Sequence, residues 1–256
     1  GNTNIRPEQT WDLALTYEHR LANDTGSLEA EVFYRKYTDH LSNVDFTEYV
    51  DGGLNPTDVD SFFALAPSQL QVARDFVNDT DNGGSDFTPK SGNIPTAKAY
   101  GIKLKSNLRL GFIGVPQATL SMSYTYERRR TTDQFTGLER NFDRQSDHRV
   151  DINFRHDITE FQFTYGFETT IRSDDARYYI NYFWPNQPAA NIRLFAEKTI
   201  FNNYKLRLEG EGITRNRGAS RFIRYIDHIR FDENFETQIK VVRRPVEIRI
   251  SLQGTF

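Results

Sequence analysis

The feature that most constrains this chain is a two-residue alternation of apolar and polar side chains. It is clearest in the stretch from Pro245 to Phe256, PVEIRISLQGTF, where apolar residues share one face and polar or charged residues share the other. A strand of a soluble sandwich can also alternate in this way. Here the same alternation recurs along the chain in segments of roughly 9–11 residues, which is the length that a tilted strand needs to cross a bilayer. The repeated pattern therefore predicts a membrane β-barrel.

The composition agrees with such a barrel and excludes several other classes. The 256 residues are 37% apolar with a mean hydropathy of −0.67, and no run of about 18 apolar residues exists that would form a helical span. Barrel strands tolerate low hydropathy because half of their side chains avoid lipid. Without cysteine there are no disulfides, thiolate metal sites or cysteine nucleophiles. The net charge of −3 argues against a nucleic-acid binder.

The alternation predicts an all-β, antiparallel up-and-down meander with about nine or ten strands in a single β-barrel region, residues 1–256. We place the wall strands at about 11–21, 27–44, 99–112, 118–126, 149–155, 161–168, 191–201, 205–211 and 245–256. Short turns alternate with long loops, which we place at about 45–97, 128–147, 173–190 and 214–244. A short helix is expected near Leu70 in the first loop. The alternation of short and long connections is typical of barrels with short periplasmic turns and long extracellular loops.

The same orientation predicts two aromatic girdles at the membrane interfaces. The extracellular girdle comprises Trp11, Tyr100, Tyr124 and Tyr126, and the periplasmic girdle comprises Phe112, Phe161 and Phe256. The strand 191–201 is ambiguous, because either face would direct a charge toward lipid. We expect Leu194 and its apolar neighbours to face outward, with Lys198 reaching an interface along its aliphatic stem.

Several segments resemble the C-terminal part of TonB-dependent outer-membrane receptors. They are IRPEQTW and LALTYEHRL near the start, the strand pair AYGIKLKSNLRL and ATLSMSYTYE, and KLRLEGEGITR before a closing strand that ends in phenylalanine. Family members often carry Asn-Leu where this chain has Gly212-Ile213. The resemblance implies a 22-stranded barrel, of which these strands would be the last part, in the outer membrane of a Gram-negative bacterium.

What the resemblance implies about function is nutrient uptake. Such receptors import iron–siderophore complexes, cobalamin or saccharides with a plug domain and a TonB box, and neither segment is present in these 256 residues. Expected partners are the plug domain and TonB of the full-length protein, a small-molecule ligand, outer-membrane lipid and lipopolysaccharide. The aromatic end at Phe256 would be recognised by the barrel-assembly machinery, or would simply belong to the girdle. The start at Gly1-Asn2 suggests a processed or excised segment.

Candidate binding residues fall into three groups. Arg149 belongs to a set of charges that must face water, where it would touch solute or plug, or pair across strands. Arg129 belongs to a basic loop with Arg128, Arg130, Arg140 and Arg144, which would hold lipopolysaccharide phosphates or another anionic ligand, or remain solvated. Tyr178, Tyr182 and Trp184 lie in an aromatic loop that would stack a sugar or an aromatic chelate, form a small loop core, or belong to the outer girdle.

No catalytic or metal site is predicted, and no cofactor. Asp39-His40, Asp147-His148, His156-Asp157 and Asp227-His228 are sequence neighbours, and neighbours on a strand point to opposite faces, so none forms a dyad by itself. The chain is therefore expected not to be an enzyme. Two alternatives to a receptor segment stay open: a self-contained small outer-membrane barrel, porin-like or adhesive, and a soluble β-sandwich binding module.

Overall fold

The computed structural model is an all-β fold in which every strand pair is antiparallel. It describes residues 5–45, 89–133, 138–179, 182–201, 203–213, 217–225, 235–243 and 245–254. The strands are β1 (Gln9–Leu21), β2 (Gly26–Asp45), β3 (Pro89–Arg109), β4 (Ala118–Thr132), β5 (Glu139–Asn141), β6 (His148–Ile158), β7 (Phe163–Arg172), β8 (Asp175–Tyr178), β9 (Tyr182–Gln187), β10 (Asn191–Ile200), β11 (Tyr204–Glu211), β12 (Arg217–Tyr225), β13 (Phe235–Arg243) and β14 (Glu247–Gly254).

Nine of these strands form one continuous wall in the order β1-β2-β3-β4-β6-β7-β10-β11-β14, and β5 pairs with the end of β4. Neighbours in the wall follow one another along the chain, so the predicted meander is confirmed. Short turns join β1 to β2, β3 to β4, β6 to β7 and β10 to β11, and all four lie at one end of the wall, the short-turn end. The opposite end, the long-connection end, carries the other links. In the described residues β1 and β14 are the two edges.

The wall has one apolar face and one polar face, as the alternation predicts. Residues of the apolar face remain exposed, with relative accessibilities of 59% for Leu13, 44% for Leu104 and 70% for Ile250. Strand β10 follows the predicted choice of face. Its Glu197 is buried on the polar side, and Lys198 lies on the apolar side near the short-turn end, where its ammonium donates to the carbonyl oxygen of Phe161.

Two phenylalanines on the polar face pack over glycines of the neighbouring strand. Phe33 lies against Gly101 and Phe195 against Gly166, and a Cβ added at these glycines would stand 3.0 and 2.8 Å from the respective ring Cζ atoms. Each ring is also covered by a cation, such as Arg207, which lies 4.8 Å above the centre of the Phe195 ring. Glycine is required in both strands because any side chain would collide with the ring and with a neighbouring backbone carbonyl.

The start of β3 was predicted as loop and is strand. Residues 89–98 are rich in proline, glycine and asparagine, which disfavour strands, yet they pair with the long second half of β2. Tertiary contacts override the propensity. Ile94 is 1% exposed, and the Asn93 amide donates to the carbonyl oxygens of Arg6 (2.8 Å) and Asp39 (2.7 Å).

Other predicted boundaries also differ from the structure. Strand β4 continues to Thr132, so Arg128, Arg129 and Arg130 are in a strand and not in a loop. The segments predicted as loops at 173–190 and 214–244 contribute β8, β9, β12 and β13, which form a separate four-stranded sheet in the order β13-β12-β9-β8.

The ends of two wall strands differ in the opposite direction, because residues predicted as strand form turns. The predicted strand residues Leu110 and Phe112 form a short 3₁₀ turn, and Phe161 lies in another. The helix predicted near Leu70 lies outside the described residues. Among the described residues, no helix has both the length and the apolarity to cross a membrane.

Candidate functional site

The apolar face is bordered by aromatic side chains at both ends. At the long-connection end, Trp11 packs edge-on against Tyr34 with ring centres 6.5 Å apart, and Tyr126 lies 5.0 Å from His148. Tyr100 is directly opposite Tyr34 in the β2–β3 register and extends this aromatic band. The band includes three residues of the predicted extracellular girdle, and Tyr124 joins it through contact with His148.

Aromatic residues also mark the short-turn end. Phe112 and Phe161 are 65% and 63% exposed in their turns, and Tyr165 packs against Phe163 and His156. Phe256, the third residue of the predicted girdle and the proposed assembly signal, lies outside the described residues. The apolar face is thus framed by aromatic rings at both ends, and those of Trp11 and the tyrosines carry a polar atom that favours an interface between apolar and aqueous surroundings.

The charges of the polar face are held in ion pairs. In β1, β2 and β3 the pairs cross between residues in register: Arg35 with Asp12 (2.7 Å), Lys103 with Glu31 (2.7 Å) and Lys105 with Glu29 (2.8 Å). Cross-strand pairs of opposite charge stabilise a sheet modestly. This arrangement agrees with the alternative in which the charges pair with one another across strands on a face that contacts water.

Strands β4, β6, β11 and β14 use a different pairing, in which an arginine binds a carboxylate two residues away on its own strand. The pairs are Arg129 with Glu127, Arg149 with Asp151, Arg155 with Asp157, Arg207 with Glu209 and Arg249 with Glu247. Residues two apart on a strand share a face, which makes the contact possible. Arg129 and Arg149, both predicted ligand contacts, are therefore engaged within the polar face.

The middle of the polar face contains an open cleft of about 420 Å³. Its lining combines hydroxyl, amide and charged groups, and it includes Ser121, Ser123, Asn153, Asp151 and Arg193. Asp151 accepts hydrogen bonds from Thr170 and Ser123 in addition to its ion pair with Arg149. Sequence reasoning did not single out this cleft, although the alternation places its residues on the polar face. Its chemistry suits contact with water or a polar surface.

Arg128 and Arg130 point to the opposite face from Arg129, because β4 is extended through all three. Lys36 of β2, Lys98 of β3 and Arg130 of β4 are directly in register, and Arg128 follows one step nearer the aromatic band, opposite Tyr100. Sequence reasoning missed the two lysines. Their position two residues beyond Tyr34 and Tyr100 on the same face was the available signal.

Tyr178 belongs to a buried cluster that joins the four-stranded sheet to the wall. The Arg140 guanidinium lies 4.6 Å above the Tyr178 ring and binds the carboxylates of Asp133 and, at 3.1 Å, Asp143. Arg140 and Asp133 are almost fully buried. Burial raises the pKa of the Asp143 carboxyl, although Arg140 opposes the shift, and burial also raises the pKa of the Tyr178 hydroxyl. These contacts agree with the reading of Tyr178 as part of a small core.

Tyr182 and Trp184 lie on the other face of the four-stranded sheet from Tyr178. Trp184 packs edge-on against Phe222 at 6.0 Å and its indole donates to the Ser220 hydroxyl, and Tyr182 stacks on Tyr179 at 4.0 Å. Burial raises the pKa of Tyr182 well above its usual value. The structure thus does not bring the three predicted aromatic contacts into one site.

The described histidines are engaged with aromatic or acidic neighbours. His40 Nδ1 lies 2.7 Å from the Glu8 carboxylate and its ring stacks on Phe142 at 4.2 Å, and burial lowers the pKa of His40. His156 lies on the apolar face and Asp157 on the polar face, as predicted for strand neighbours. The described part of the chain holds no group of three His, Asp or Glu residues arranged for a metal ion. Asp227-His228 lies outside it.

Comparison with protein families, with curated proteins and with solved structures gave no match for this chain.

Proposed function

We propose that this chain is part of the wall of an outer-membrane nutrient transporter of the TonB-dependent receptor type, located in the outer membrane of a Gram-negative bacterium. The observation that carries the proposal is the two-faced sheet of nine strands. Its apolar face is exposed and framed by aromatic rings, and its polar face keeps its charges paired. A wall between hydrocarbon and water requires this division.

The exposure of the apolar face favours a lipid-facing wall over a soluble sandwich. In a sandwich these side chains would be covered by a second sheet, whereas Leu15 and Ile248 are 71% and 69% exposed. Each fully exposed leucine or isoleucine in water forgoes roughly 1.5–3 kcal/mol of burial free energy. Hydrocarbon would provide the missing apolar surroundings.

The edges of the wall support its place in a larger barrel. Within the described residues β1 and β14 are paired on one side only and are not paired with each other. Unpaired backbone groups cost several kcal/mol each in hydrocarbon, so a membrane-spanning wall must be closed by further strands. This favours the receptor over a self-contained barrel of these strands alone.

The proposed mechanism of uptake assigns a role to each end and to each face of the wall. The long connections and the four-stranded sheet would face the medium and capture a scarce nutrient such as an iron–siderophore complex. The polar face, with its cleft, would bound the aqueous interior that holds the plug, and TonB engagement would release the ligand past it. The chain performs no catalysis in this scheme.

The two tryptophans provide a direct test. Trp11 lies in the aromatic band, and Trp184 lies in the four-stranded sheet. In phosphatidylcholine vesicles with brominated acyl chains, the Trp184→Phe variant, which retains Trp11, should show strongly quenched fluorescence. The Trp11→Phe variant, which retains Trp184, serves as the matched control and should be quenched little.

The proposal fails if the chain is a water-soluble monomer without detergent or lipid, or if Trp11 is not quenched. Heat-modifiable migration in gel electrophoresis provides a second readout, because a folded membrane barrel resists unfolding by detergent until it is heated. Both readouts use this chain reconstituted in vesicles, because Trp11 and Trp184 are its two tryptophans.

A further inference from the structure

Four cations form a patch on the apolar side of the wall, just beyond the aromatic band at the long-connection end. Lys36, Lys98 and Arg130 occupy one row across β2, β3 and β4, and Arg128 lies one step nearer the band. We name these four residues the cation row. Because neighbouring strands lie about 4.8 Å apart, the three in register span about 10 Å.

The cation row retains positive charge after its ion pairs are counted. Glu139 binds Lys98 at 2.9 Å, and Asp147 lies 3.5 Å from Arg128 and 3.7 Å from Arg130. Four cations thus face two carboxylates. Lys36 is exposed, and the side chains of Lys98 and Arg128 are 45% and 43% exposed, whereas that of Arg130 is 18% exposed. A ligand would therefore reach the row mainly through Lys36, Lys98 and the outer nitrogens of Arg128.

The aromatic band fixes what kind of surface the cation row meets. Trp11 is directly opposite Lys36, and Tyr34 and Tyr100 lie beside Arg128 in the next row. Moving along the strands from the middle of the wall, the side chains therefore change from aliphatic to aromatic to cationic. The same order of layers is found from the acyl chains of a bilayer to its phosphate headgroups.

We infer that the cation row binds the phosphates of an anionic glycolipid in the outer leaflet, with more than one phosphate on the headgroup. Because the cations are spread over about 10 Å, a single phosphate would reach only one or two of them. A bisphosphorylated disaccharide, such as that of lipopolysaccharide, can engage cations along the length of the row. Charge-assisted bonds from lysine and arginine suit phosphate oxygens. The inference rests on the proposed membrane location of the wall.

This assignment separates arginines that are adjacent in sequence. Arg129 pairs with Glu127 on the polar face, and Arg140 is buried beneath the four-stranded sheet, so neither can reach a lipid. The lipid-binding set is therefore defined by side-chain direction across three strands and not by the run Arg128-Arg129-Arg130.

The test measures binding of bisphosphorylated lipid A to the protein in neutral detergent micelles. The Lys36→Gln/Lys98→Gln variant should bind on the order of tenfold more weakly, because each basic residue near an anionic surface contributes a several-fold gain in affinity. Lys105→Gln/Arg109→Gln is the matched control. It removes two exposed cations from the polar face and should bind like the wild type.

Two further arms identify the ligand. Monophosphorylated lipid A should bind several-fold more weakly than the bisphosphorylated form, and millimolar inorganic phosphate should not displace it. Equal affinity of the two lipids, displacement by free phosphate, or unchanged binding by Lys36→Gln/Lys98→Gln would overturn the inference. If Trp11 is quenched in phosphatidylcholine vesicles and glycolipid binding is absent, only this inference fails. If Trp11 is not quenched, the proposed function fails first.

Discussion

The nine-stranded wall and the four-stranded sheet are both antiparallel, yet they are stabilised differently. The wall exposes its apolar face and pairs the charges of its polar face, whereas the four-stranded sheet places aromatic rings on both faces. Tyr178 packs on one side of that sheet and Trp184 on the other. A regular alternation therefore indicates two different surroundings, whereas aromatic rings on both faces indicate a small sheet without one purely apolar and one purely polar side.

The largest expected loss of stability follows from a substitution at the junction between the nine-stranded wall and the four-stranded sheet. Arg140→Leu removes the cation that faces the buried Asp133 and Asp143 carboxylates and covers Tyr178. Removing one member of a buried ion pair typically costs about 3–5 kcal/mol. Amide hydrogen exchange should show faster opening of β5 and β8, with the centre of the wall unchanged.

The matched control for this substitution is Arg109→Gln, whose partner Asp24 has an 84% exposed side chain. An exposed pair contributes about 0–1 kcal/mol, so exchange should change little. Equal protection in the two variants would mean that Arg140 does not hold the regions together.

The second effect tests the surroundings of the apolar face. Leu104→Arg places a charge in the middle of the apolar face. If this face contacts lipid, the substitution should lower the free energy of unfolding by about 2–4 kcal/mol. Urea unfolding of the protein in phosphatidylcholine vesicles measures this change. Ile239→Arg, at a 66% exposed position of the four-stranded sheet, should change the free energy of unfolding by less than about 0.5 kcal/mol. Similar small costs for both would place the apolar face in water.

A third and smaller effect concerns the packing of rings on glycines in the wall. Gly166→Ala brings a Cβ within 2.8 Å of the Phe195 ring and against the Phe154 carbonyl oxygen, and overpacking of this kind costs about 1–3 kcal/mol. Gly111→Ala should be nearly neutral, because its nearest neighbours would lie at 3.6 Å. Denaturation midpoints of the two variants measure the difference. A neutral Gly166→Ala would show that both the Phe195 ring and the adjacent backbone can move away from the added methyl group.

The smallest effect is a pH dependence near the long-connection end. Burial lowers the pKa of His40 in the folded protein. The charge of Arg140 also lowers this pKa, whereas the Glu8 carboxylate raises it. Because the unfolded state then binds the proton more readily, the contribution of His40 to stability is complete above its unfolded pKa of about 6.5 and falls as the pH drops below it. Hydrogen exchange of β2 near Leu41 should accelerate from pH 7 to pH 5.

The variant His40→Phe keeps a ring against Phe142 and removes the titrating group. Its exchange rates, corrected for the intrinsic pH dependence of exchange, should be flat across this range. A wild-type profile that is equally flat would contradict the assignment to His40.

The wall could be predicted because each of its strands has a consistent difference between its two faces. The nine strands, the four short turns and the orientation of β10 all follow from this alternation. The extension of β3 could not be predicted, because its proline, glycine and asparagine favour a loop, and only the contacts of Asn93 and Ile94 with β2 and the N-terminal segment make it a strand.

The candidate sites were harder to predict than the strands. Arg128 and Arg129 separate to opposite faces only because β4 continues past Tyr126, and a run of three arginines gives no sign of that continuation. Tyr178 and Trp184 separate because β8 and β9 are strands, where a loop had been expected. Residue type indicated the chemistry of these positions, and side-chain direction decided which of them can act together.

The two kinds of ion pair on the polar face have a consequence for how the sheet is assembled. Strands β6, β11 and β14 each carry an arginine and its counter-ion two residues apart, so these pairs can be neutralised before the strand meets a neighbour. Three pairs of β1, β2 and β3, which are Arg35 with Asp12, Lys103 with Glu31 and Lys105 with Glu29, form only across neighbouring strands. The first three strands must therefore be in register before these charges are neutralised, whereas an arginine of the later strands meets its counter-ion within a single strand.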